Sequence, residues 1–299
     1  MPDLEAVSSA AGGTRSVSAA LDWTLLLLPG LIWGASYLFI AEGLEALAPN
    51  GVTFVRLLLG FVTLSFFPAV RRPIARGDWA GVFWLGVLWY AFPMTLFPYA
   101  QQHVSSALAG MMNGITPMIA VVAASVWSRQ WPLRGVVLGL LVGFSGAVLM
   151  ALPGLREGGS EARGVILIVV AMASYGIALN VSRPLEQSSG ALPTIWRALA
   201  IAVALTAPLG APALLHAHWT LRAALSLLAL GALGTAVANV AMTVAAGRLG
   251  VARASATGFL IPVVALLLGV AIRNERVATL SVIGVVPCLA GAWLIRRTT

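Results

Sequence analysis

Aromatic, amide and hydroxyl side chains in the middle of long apolar stretches are the residues of this sequence best suited to binding a small molecule. They are Trp33, Tyr37, Trp89, Tyr90, Asn113, Tyr175, Asn239 and Thr257, with Tyr99 nearer the end of its stretch. Amides and hydroxyls can bind the ammonium and carboxylate of a zwitterion, while aromatic rings suit an apolar tail or a cation–π contact. For each of them, a hydrogen bond that only holds two helices together is the alternative.

The residues that usually carry enzyme chemistry lie outside those positions. His103, His216 and His218 fall at or beyond the ends of the apolar stretches, and the ten carboxylates fall in the N-terminal tail, in loops or at stretch ends. The His-x-His pair has no third ligand nearby, and Cys288 is alone. We therefore predict no catalytic centre, no metal site and no cofactor. Because proton-driven carriers commonly use a carboxylate or histidine inside the membrane, the pattern favours a facilitator or an exchanger.

The elements that position these residues must be membrane helices. Sixty percent of the residues are hydrophobic, 9% are charged, and the mean hydropathy is +0.94, which is typical of a polytopic membrane protein. A spanning helix needs about 20 mostly apolar residues. By that length we predict ten spans, at roughly 22–42, 50–70, 79–100, 104–126, 131–152, 164–183, 192–212, 222–247, 251–272 and 277–296.

The arginines predict the orientation of the chain. All 18 basic residues are arginine, and they stand singly or in pairs at span ends, so the net charge of +8 indicates topology signals and not a nucleic-acid surface. Eleven fall on the side of the N-terminus and five on the other side, which predicts that both termini are cytoplasmic. Residues 1–20 are polar and are expected to form a disordered cytoplasmic tail. Arg56 and Arg197 lie about 9 Å inside their spans, where we expect them to snorkel to the interface, with the bracing of a gate at opposite faces of the membrane as the alternative.

The sequence is an internal duplication. The segments 104–130 and 251–275 match at an offset of 145, which pairs Pro117 with Pro262 and Gln130 with Glu275. We therefore predict two repeats, residues 21–152 and 164–297. Since each holds five spans, an odd number, the second enters the membrane inverted, as in carriers that alternate between two states. The two prolines are expected to be hinges, with a static bend as the alternative.

Several motifs resemble a known family. LIWGASYLF in the first span, PNGVTFVR in the second, and a fourth span that runs through a central proline to a polar end resemble EamA-type carriers of the drug/metabolite transporter superfamily. The aromatic third span, FWLGVLWYAFPMTLFPYAQQH, is similar to that of the YddG-type aromatic amino acid exporters of bacterial inner membranes. The resemblance implies ten helices in two inverted repeats, with Trp33 among the central helices. The chain departs from the family at Gln130, where an acidic residue is common.

These observations predict an all-α inner-membrane carrier that exports amino acids by alternating access. Aromatic or apolar amino acids are expected as substrates, with threonine and methionine as further candidates. Its partners would be the small-molecule substrate and the lipid bilayer, with no nucleic acid, and the carrier would be a monomer. Export of another metabolite or a drug is the alternative within transport. An intramembrane enzyme acting on lipids, or a scaffold without a transport cycle, is the alternative outside it.

Overall fold

The computed structural model describes the backbone of residues 3–298 and the side chains of residues 21–250 and 253–297. Most of this part of the chain is helical, and it contains no strand. Its ten long helices are α1 Asp3–Gly43, α2 Pro49–Ser65, α3 Arg76–Gln101, α4 Ser106–Ser128, α5 Arg134–Glu157, α6 Gly159–Ser189, α7 Ala191–Gly210, α8 Leu221–Leu249, α9 Ser255–Arg273 and α10 Thr279–Thr298. Short 3₁₀ turns, Pro68–Arg71 and Pro212–His216, follow α2 and α7.

The ten helices follow the ten predicted spans, and the all-α prediction is confirmed. Nine of the described helices are long and apolar enough to cross a bilayer, and α2 is a shorter apolar helix of 17 residues. One difference lies at the start of the chain. Helix α1 begins at Asp3, so residues 3–20 are helical where the sequence suggested a disordered tail. This segment contains no proline that would stop the helix before its apolar part begins at Leu21. Residues 1 and 2 lie outside the described part.

Matching irregularities in the helices make the inverted repeat visible. The third helix of each repeat contains a π-helical segment, Gly86–Ala91 in α3 and Ala229–Val237 in α8. The fourth helix of each repeat contains a 3₁₀ segment, Met112–Ile115 in α4 and Ser255–Phe259 in α9. Such departures from the α-helix are uncommon, so their recurrence at equivalent places confirms a chain built from two five-helix units.

The two prolines expected to be hinges follow those 3₁₀ segments. Pro117 opens the α-helical part of α4, Thr116–Ser128, and Pro262 lies in the first turn of the corresponding part of α9, Leu260–Arg273. A proline is tolerated in the first turn of a helix because its missing N–H has no intrahelical acceptor there. Both helices are therefore interrupted at this level, and movement at these points stays a prediction.

Helices α5 and α10 form the closest helix pair, at the contact between the fifth helices of the two repeats. A Cβ atom added to Gly146 would collide with the backbone of Gly284 and Cys288, and one added to Gly291 would collide with the backbone of Gly143. Small residues let membrane helices approach to backbone contact. This pair therefore forms a tightly packed seam between the repeats.

Helix α2 ends earlier than predicted, so Arg56 lies at the middle of the helix although its distance from the N-terminal end is close to the predicted one. The predicted span ran to residue 70, but the helix ends at Ser65, three residues before Pro68 begins a 3₁₀ turn. At 1.5 Å per residue, α2 is about 25 Å long. Arg56 is the eighth of its 17 residues, so it lies at the middle of the helix.

Candidate functional site

The most unusual group within the bundle is the guanidinium of Arg56. The residue is 6% exposed, and its Nε donates a hydrogen bond to the hydroxyl of Thr235 in α8, at 3.2 Å. None of the described carboxylates lies within ion-pair distance of it. The prediction that Arg56 snorkels to the interface is therefore wrong, because its side chain is buried in the bundle and donates to Thr235 of α8.

Close packing between α2 and α8 brings Arg56 to Thr235. A Cβ atom on Gly60 would meet the side chain of Thr235 at 2.6 Å, and one on Gly231 would meet the carbonyl oxygen of Arg56 at 2.9 Å. The π-helical turn of α8 also matters here, because the Thr235 hydroxyl donates to the carbonyl of Leu230, five residues earlier, at 3.2 Å. Its proton is thus engaged, and its lone pairs are oriented to accept from Arg56.

Aromatic rings from both repeats are packed together beside this arginine. Tyr37 meets Phe97 edge-on with ring centroids 5.4 Å apart, and Tyr175 lies 5.4 Å from Trp89 and 6.0 Å from Phe97. We call these four residues, from α1, α3 and α6, the aromatic cluster. Three tyrosines, Tyr37, Tyr175 and the fully buried Tyr90, are the ionisable side chains that interact electrostatically with Arg56.

Two further predicted residues border the same region through α8. The indole Nε1 of Trp33 donates to the carbonyl oxygen of Gly234 at 3.0 Å, which ties α1 to the π-helical segment of α8. The Asn239 side-chain amide donates to the carbonyl oxygen of Thr235 at 2.7 Å, within its own helix. This bond uses part of the amide's capacity and leaves its carbonyl oxygen free to accept.

The other predicted binding residues lie apart from this group. Thr257 is buried in α9 and donates its hydroxyl proton to the carbonyl of Leu26 at 2.7 Å. This hydrogen bond holds α9 against α1, which is the alternative to ligand binding for this residue. Asn113 lies in the 3₁₀ segment of α4, where it accepts a long hydrogen bond of 3.5 Å from the Thr116 hydroxyl. Tyr99 is half-buried near the end of α3.

One end of the bundle is closed by ion pairs that join the two repeats. Glu42, at the end of α1, accepts hydrogen bonds from Arg222 of α8 at 2.7 Å and from Arg273 of α9 at 2.6 Å. Arg273 also binds Glu45 at 3.0 Å. The Glu42 side chain is 3% exposed, although the sequence suggested only a carboxylate at a span end. We refer to this side of the bundle as the Glu42 end, which the arginine distribution predicts to be periplasmic.

Glu275 connects the same end of the bundle to α4. Its carboxylate accepts hydrogen bonds from the backbone N–H groups of Ser106 and Ala107, at 3.0 and 2.9 Å, and from the Ser106 hydroxyl at 2.8 Å. The first N–H groups of a helix have no intrahelical acceptor, and a negative charge there is favourable. The second repeat thus keeps the acidic residue that Gln130 replaces in the first repeat, and this residue, Glu275, caps a helix of the first repeat.

A cavity of about 360 Å³ opens beside these ion pairs. It is lined by Ala41, Leu44, Glu45, Gln101, Gln102, Val104, Ser106, Arg273 and Glu275. Among the described side chains, the amide of Gln101 is buried there without a hydrogen-bond partner. The Glu42 end therefore holds a polar recess that stops short of the aromatic cluster.

The opposite end is closed by weaker polar contacts between the repeats. The carboxylate of Asp78 accepts hydrogen bonds from the hydroxyls of Ser188 and Ser189, at 2.6 Å each. Arg197 donates to the carbonyl oxygen of Val70 at 3.1 Å, so the repeat-related partner of Arg56 contacts a loop and not the bundle centre. Contacts across both ends leave the aromatic cluster enclosed.

The side chains of this region suit an organic substrate, and they offer no set of metal ligands. Within the described part of the chain, no three histidine, cysteine, aspartate or glutamate side chains come together. Sequence reasoning singled out Tyr37, Trp89 and Tyr175, and it missed Phe97, Thr235 and the burial of Arg56 and Glu42. The burial of Arg56 depends on its contact with Thr235, which no local pattern of the sequence indicates.

Comparison with known proteins agrees with this architecture. A "Probable terminal-alkyne amino-acid exporter" from Streptantibioticus cattleyicolor is 27% identical over 282 residues, which cover 93% of this chain and 93% of that protein. An "Uncharacterized transporter YdfC" from Bacillus subtilis is 24% identical over 87% of this chain and 86% of its own. A solved crystal structure superposes with a TM-score of 0.58 at 19% identity, covering 93% of this chain and 96% of the other, and supports the fold alone.

The decisive comparison is with a family model. The model described as the EamA-like transporter family matches the chain twice, at residues 23–152 and 162–297, once for each repeat. These two matches cover most of the sequence and confirm the resemblance carried by its motifs. The chain belongs to the EamA-like transporter family of the drug/metabolite transporter superfamily and is a multi-pass membrane transporter of a small molecule.

Proposed function

We propose that this transporter exports amino acids, aromatic or apolar ones above all, across the bacterial inner membrane by alternating access. The observation that carries the proposal is the aromatic cluster. Tyr37, Trp89 and Phe97 come from the first repeat and Tyr175 from the second. Successive rings in the order Tyr37, Phe97, Tyr175, Trp89 have centroids 5.4 to 6.0 Å apart. A site between inverted repeats can be exposed to either side of the membrane when the repeats rock against each other.

The amino acid assignment draws on the chemistry of the same region and on one relative. Aromatic rings suit an apolar side chain, and Trp33, Asn239 and Thr235 supply polar atoms close by. The relative from Streptantibioticus cattleyicolor, which covers 93% of the chain, is named as an amino-acid exporter. Threonine and methionine are further candidates, because the site has both hydroxyl acceptors and polarisable rings.

Alternating access accounts for the polar contacts at the two ends of the bundle. Glu42 with Arg222 and Arg273 at one end, and Asp78 with Ser188 at the other, each join the first repeat to the second. Each group must separate when its own end opens, while the other group stays intact. The cycle then needs no carboxylate in the middle of the membrane, and we infer exchange or facilitated transport with both termini in the cytoplasm and a monomeric carrier.

Counterflow in liposomes tests the proposal. Purified protein would be reconstituted into vesicles preloaded with unlabelled amino acid, and uptake of labelled phenylalanine, threonine or methionine would be followed with and without a pH gradient. We expect saturable exchange of phenylalanine without the gradient. Tyr175→Ala should abolish this exchange, whereas Tyr99→Ala, which alters a tyrosine outside the aromatic cluster, serves as the matched control. Absence of exchange for every amino acid in folded protein would refute the substrate assignment.

A further inference from the structure

We propose that Arg56 binds the carboxylate of the transported solute, and that the site selects monocarboxylates with an apolar tail. In this scheme the carboxylate is obligatory and the α-amino group is dispensable. The inference rests on the proposed function in placing the substrate at the aromatic cluster, and it adds which chemical group of the substrate is recognised. It also replaces the expectation that neutral amides and hydroxyls alone would hold a zwitterion.

The hydrogen bonds of Arg56 leave most of its guanidinium available. An arginine carries five N–H donors, and Nε alone donates to a described residue, the Thr235 hydroxyl, at 3.2 Å. The four N–H donors on Nη1 and Nη2 form the forked edge that binds a carboxylate through two parallel hydrogen bonds. Thr235 accepts at Nε, so it fixes the plane of the guanidinium without occupying that edge.

The charge of Arg56 demands an anion that the described part of the chain does not provide. An arginine is always protonated in proteins, and an unpaired charge in a membrane interior is costly enough to mark a functional site by default. The carboxylates that could have served are used elsewhere. Glu42 pairs with Arg222 and Arg273, and Glu275 caps α4. A substrate carboxylate arriving between the repeats would complete the pairing.

The surroundings of Arg56 explain why the amino group should matter less. A negatively charged neighbour of Arg56 would attract the ammonium of a substrate. The ionisable groups that interact with Arg56 are instead Tyr37, Tyr90 and Tyr175, which are neutral at physiological pH. An ammonium bound here would gain a cation–π contact or a hydrogen bond to a carbonyl, both weaker than a charge-paired carboxylate. A solute with an ammonium and no carboxylate would meet Arg56 as an uncompensated like charge.

Comparison with the repeat-related position supports a role specific to Arg56. Arg197 occupies the matching place in α7, but its Nη1 donates to the carbonyl oxygens of Val70 and Pro193, at 3.1 Å each. It is half-buried at the end of the bundle, where backbone carbonyls satisfy it. Among the residues that the structure describes, Arg56 is therefore the one cation beside the aromatic cluster, which fits one carboxylate per transport cycle and disfavours dicarboxylates.

A ligand series on the unmodified protein tests this directly. Binding to the full chain in nanodiscs would be measured by calorimetry for phenylalanine, 3-phenylpropanoate, which lacks the amino group, and 2-phenylethylamine, which lacks the carboxylate. We expect 3-phenylpropanoate to bind within about tenfold of phenylalanine and 2-phenylethylamine to bind at least about 100-fold more weakly. Equal binding of phenylalanine and 2-phenylethylamine, or no binding of 3-phenylpropanoate, would overturn the proposal.

Variants of the arginine separate binding from folding. Arg56→Gln should weaken phenylalanine and 3-phenylpropanoate by about 100-fold and leave 2-phenylethylamine unchanged or improved, whereas Arg56→Lys should recover part of the loss. A purely structural arginine would instead weaken all three ligands alike. Arg197→Gln is the matched control and should leave the three affinities as they are. The ligand series on unmodified protein decides the question even if Arg56→Gln does not fold.

The outcomes also separate this inference from the proposed amino acid transport. Binding of 3-phenylpropanoate without binding or counterflow of phenylalanine would refute amino acid export and keep the carboxylate site. Counterflow of phenylalanine that 3-phenylpropanoate fails to inhibit would keep the transport and refute the carboxylate site. Replacing chloride by methanesulfonate in the buffer should leave the affinity for all three ligands unchanged. If chloride alone competed with these ligands, Arg56 would be a site for inorganic anions.

Discussion

The ion pairs at Glu42 allow a quantitative prediction about opening. Glu42→Gln keeps the shape of the side chain and one acceptor oxygen but removes the charge that Arg222 and Arg273 share. Since these bonds join α1 to α8 and α9, they stabilise the state in which this end is closed. We therefore expect the variant to open more often at the Glu42 end while the helices themselves stay folded.

The magnitude follows from the number of bonds and their exposure. A hydrogen bond to a charged group contributes about 1.5 to 3 kcal/mol. Two such bonds are affected, but the Arg222 and Arg273 side chains are 59% and 25% exposed, so solvent screens much of the charge interaction. The retained amide oxygen also keeps a neutral hydrogen bond. A net loss of about 2 kcal/mol is reasonable, and it corresponds to about a 30-fold increase in the open population.

Reaction of a buried thiol would measure that population. Ser36 is 4% exposed and lies in α1 below the ion pairs, and serine to cysteine is a small change. With Cys288 replaced by alanine, Ser36→Cys would be the sole cysteine. The rate of its labelling by a membrane-impermeant maleimide, applied at the Glu42 end, should rise by about 30-fold when Glu42→Gln is added.

A neighbouring carboxylate provides the control for this experiment. Glu45 is largely exposed and contacts Arg273 alone, so Glu45→Gln should change the labelling rate by less than about twofold. Equal rates in the parent and in Glu42→Gln would mean that the ion pairs do not hold this end closed. Equal acceleration of labelling by the two glutamine variants would mean that the burial of Glu42 gives its ion pairs no special weight.

Four further substitutions test the fold and its motion. Gly146→Val should push α5 away from α10 and cost about 3 kcal/mol of stability, seen as a lower melting temperature in detergent, whereas Gly77→Val, with open space around it, should melt like the parent. Glu275→Gln should cost about 1 kcal/mol by weakening the cap of α4, and an unchanged melting temperature would contradict that role. Pro117→Ala and Pro262→Ala should each slow counterflow by about fivefold at unchanged substrate affinity if the prolines are hinges, and a static bend would leave the rate unaltered.

The architecture could be predicted from the sequence because the bilayer imposes it. A chain with 9% charged residues can satisfy its backbone in lipid only through helices, and the length of each apolar stretch then sets the span. The constant offset between segments such as those around Pro117 and Pro262 indicated the duplication. The odd number of helices in each repeat predicted that the second repeat is inverted. None of these inferences required knowing which side chains touch.

The site was less predictable because side-chain partners from distant parts of the chain decide it. The predicted span and the observed helix place Arg56 at nearly the same distance from the N-terminal end, about 10 Å, so its contact with Thr235 of α8, and not its depth, decides its burial. Thr235 was not singled out, since its role depends on a π-helical turn that local sequence does not specify. The burial of Glu42 likewise depends on two arginines about 180 and 231 residues away.

The paired π-helical segments also set which way the later parts of two helices face. A π turn holds one more residue than an α turn, so each segment rotates the residues that follow it by about 100° around the helix axis relative to an unbroken α-helix. Gly86–Ala91 and Ala229–Val237 occupy the same place in the two repeats. The rotation therefore acts on the third helix of both repeats, and in α8 the widened turn is the place where Thr235 accepts the hydrogen bond of Arg56.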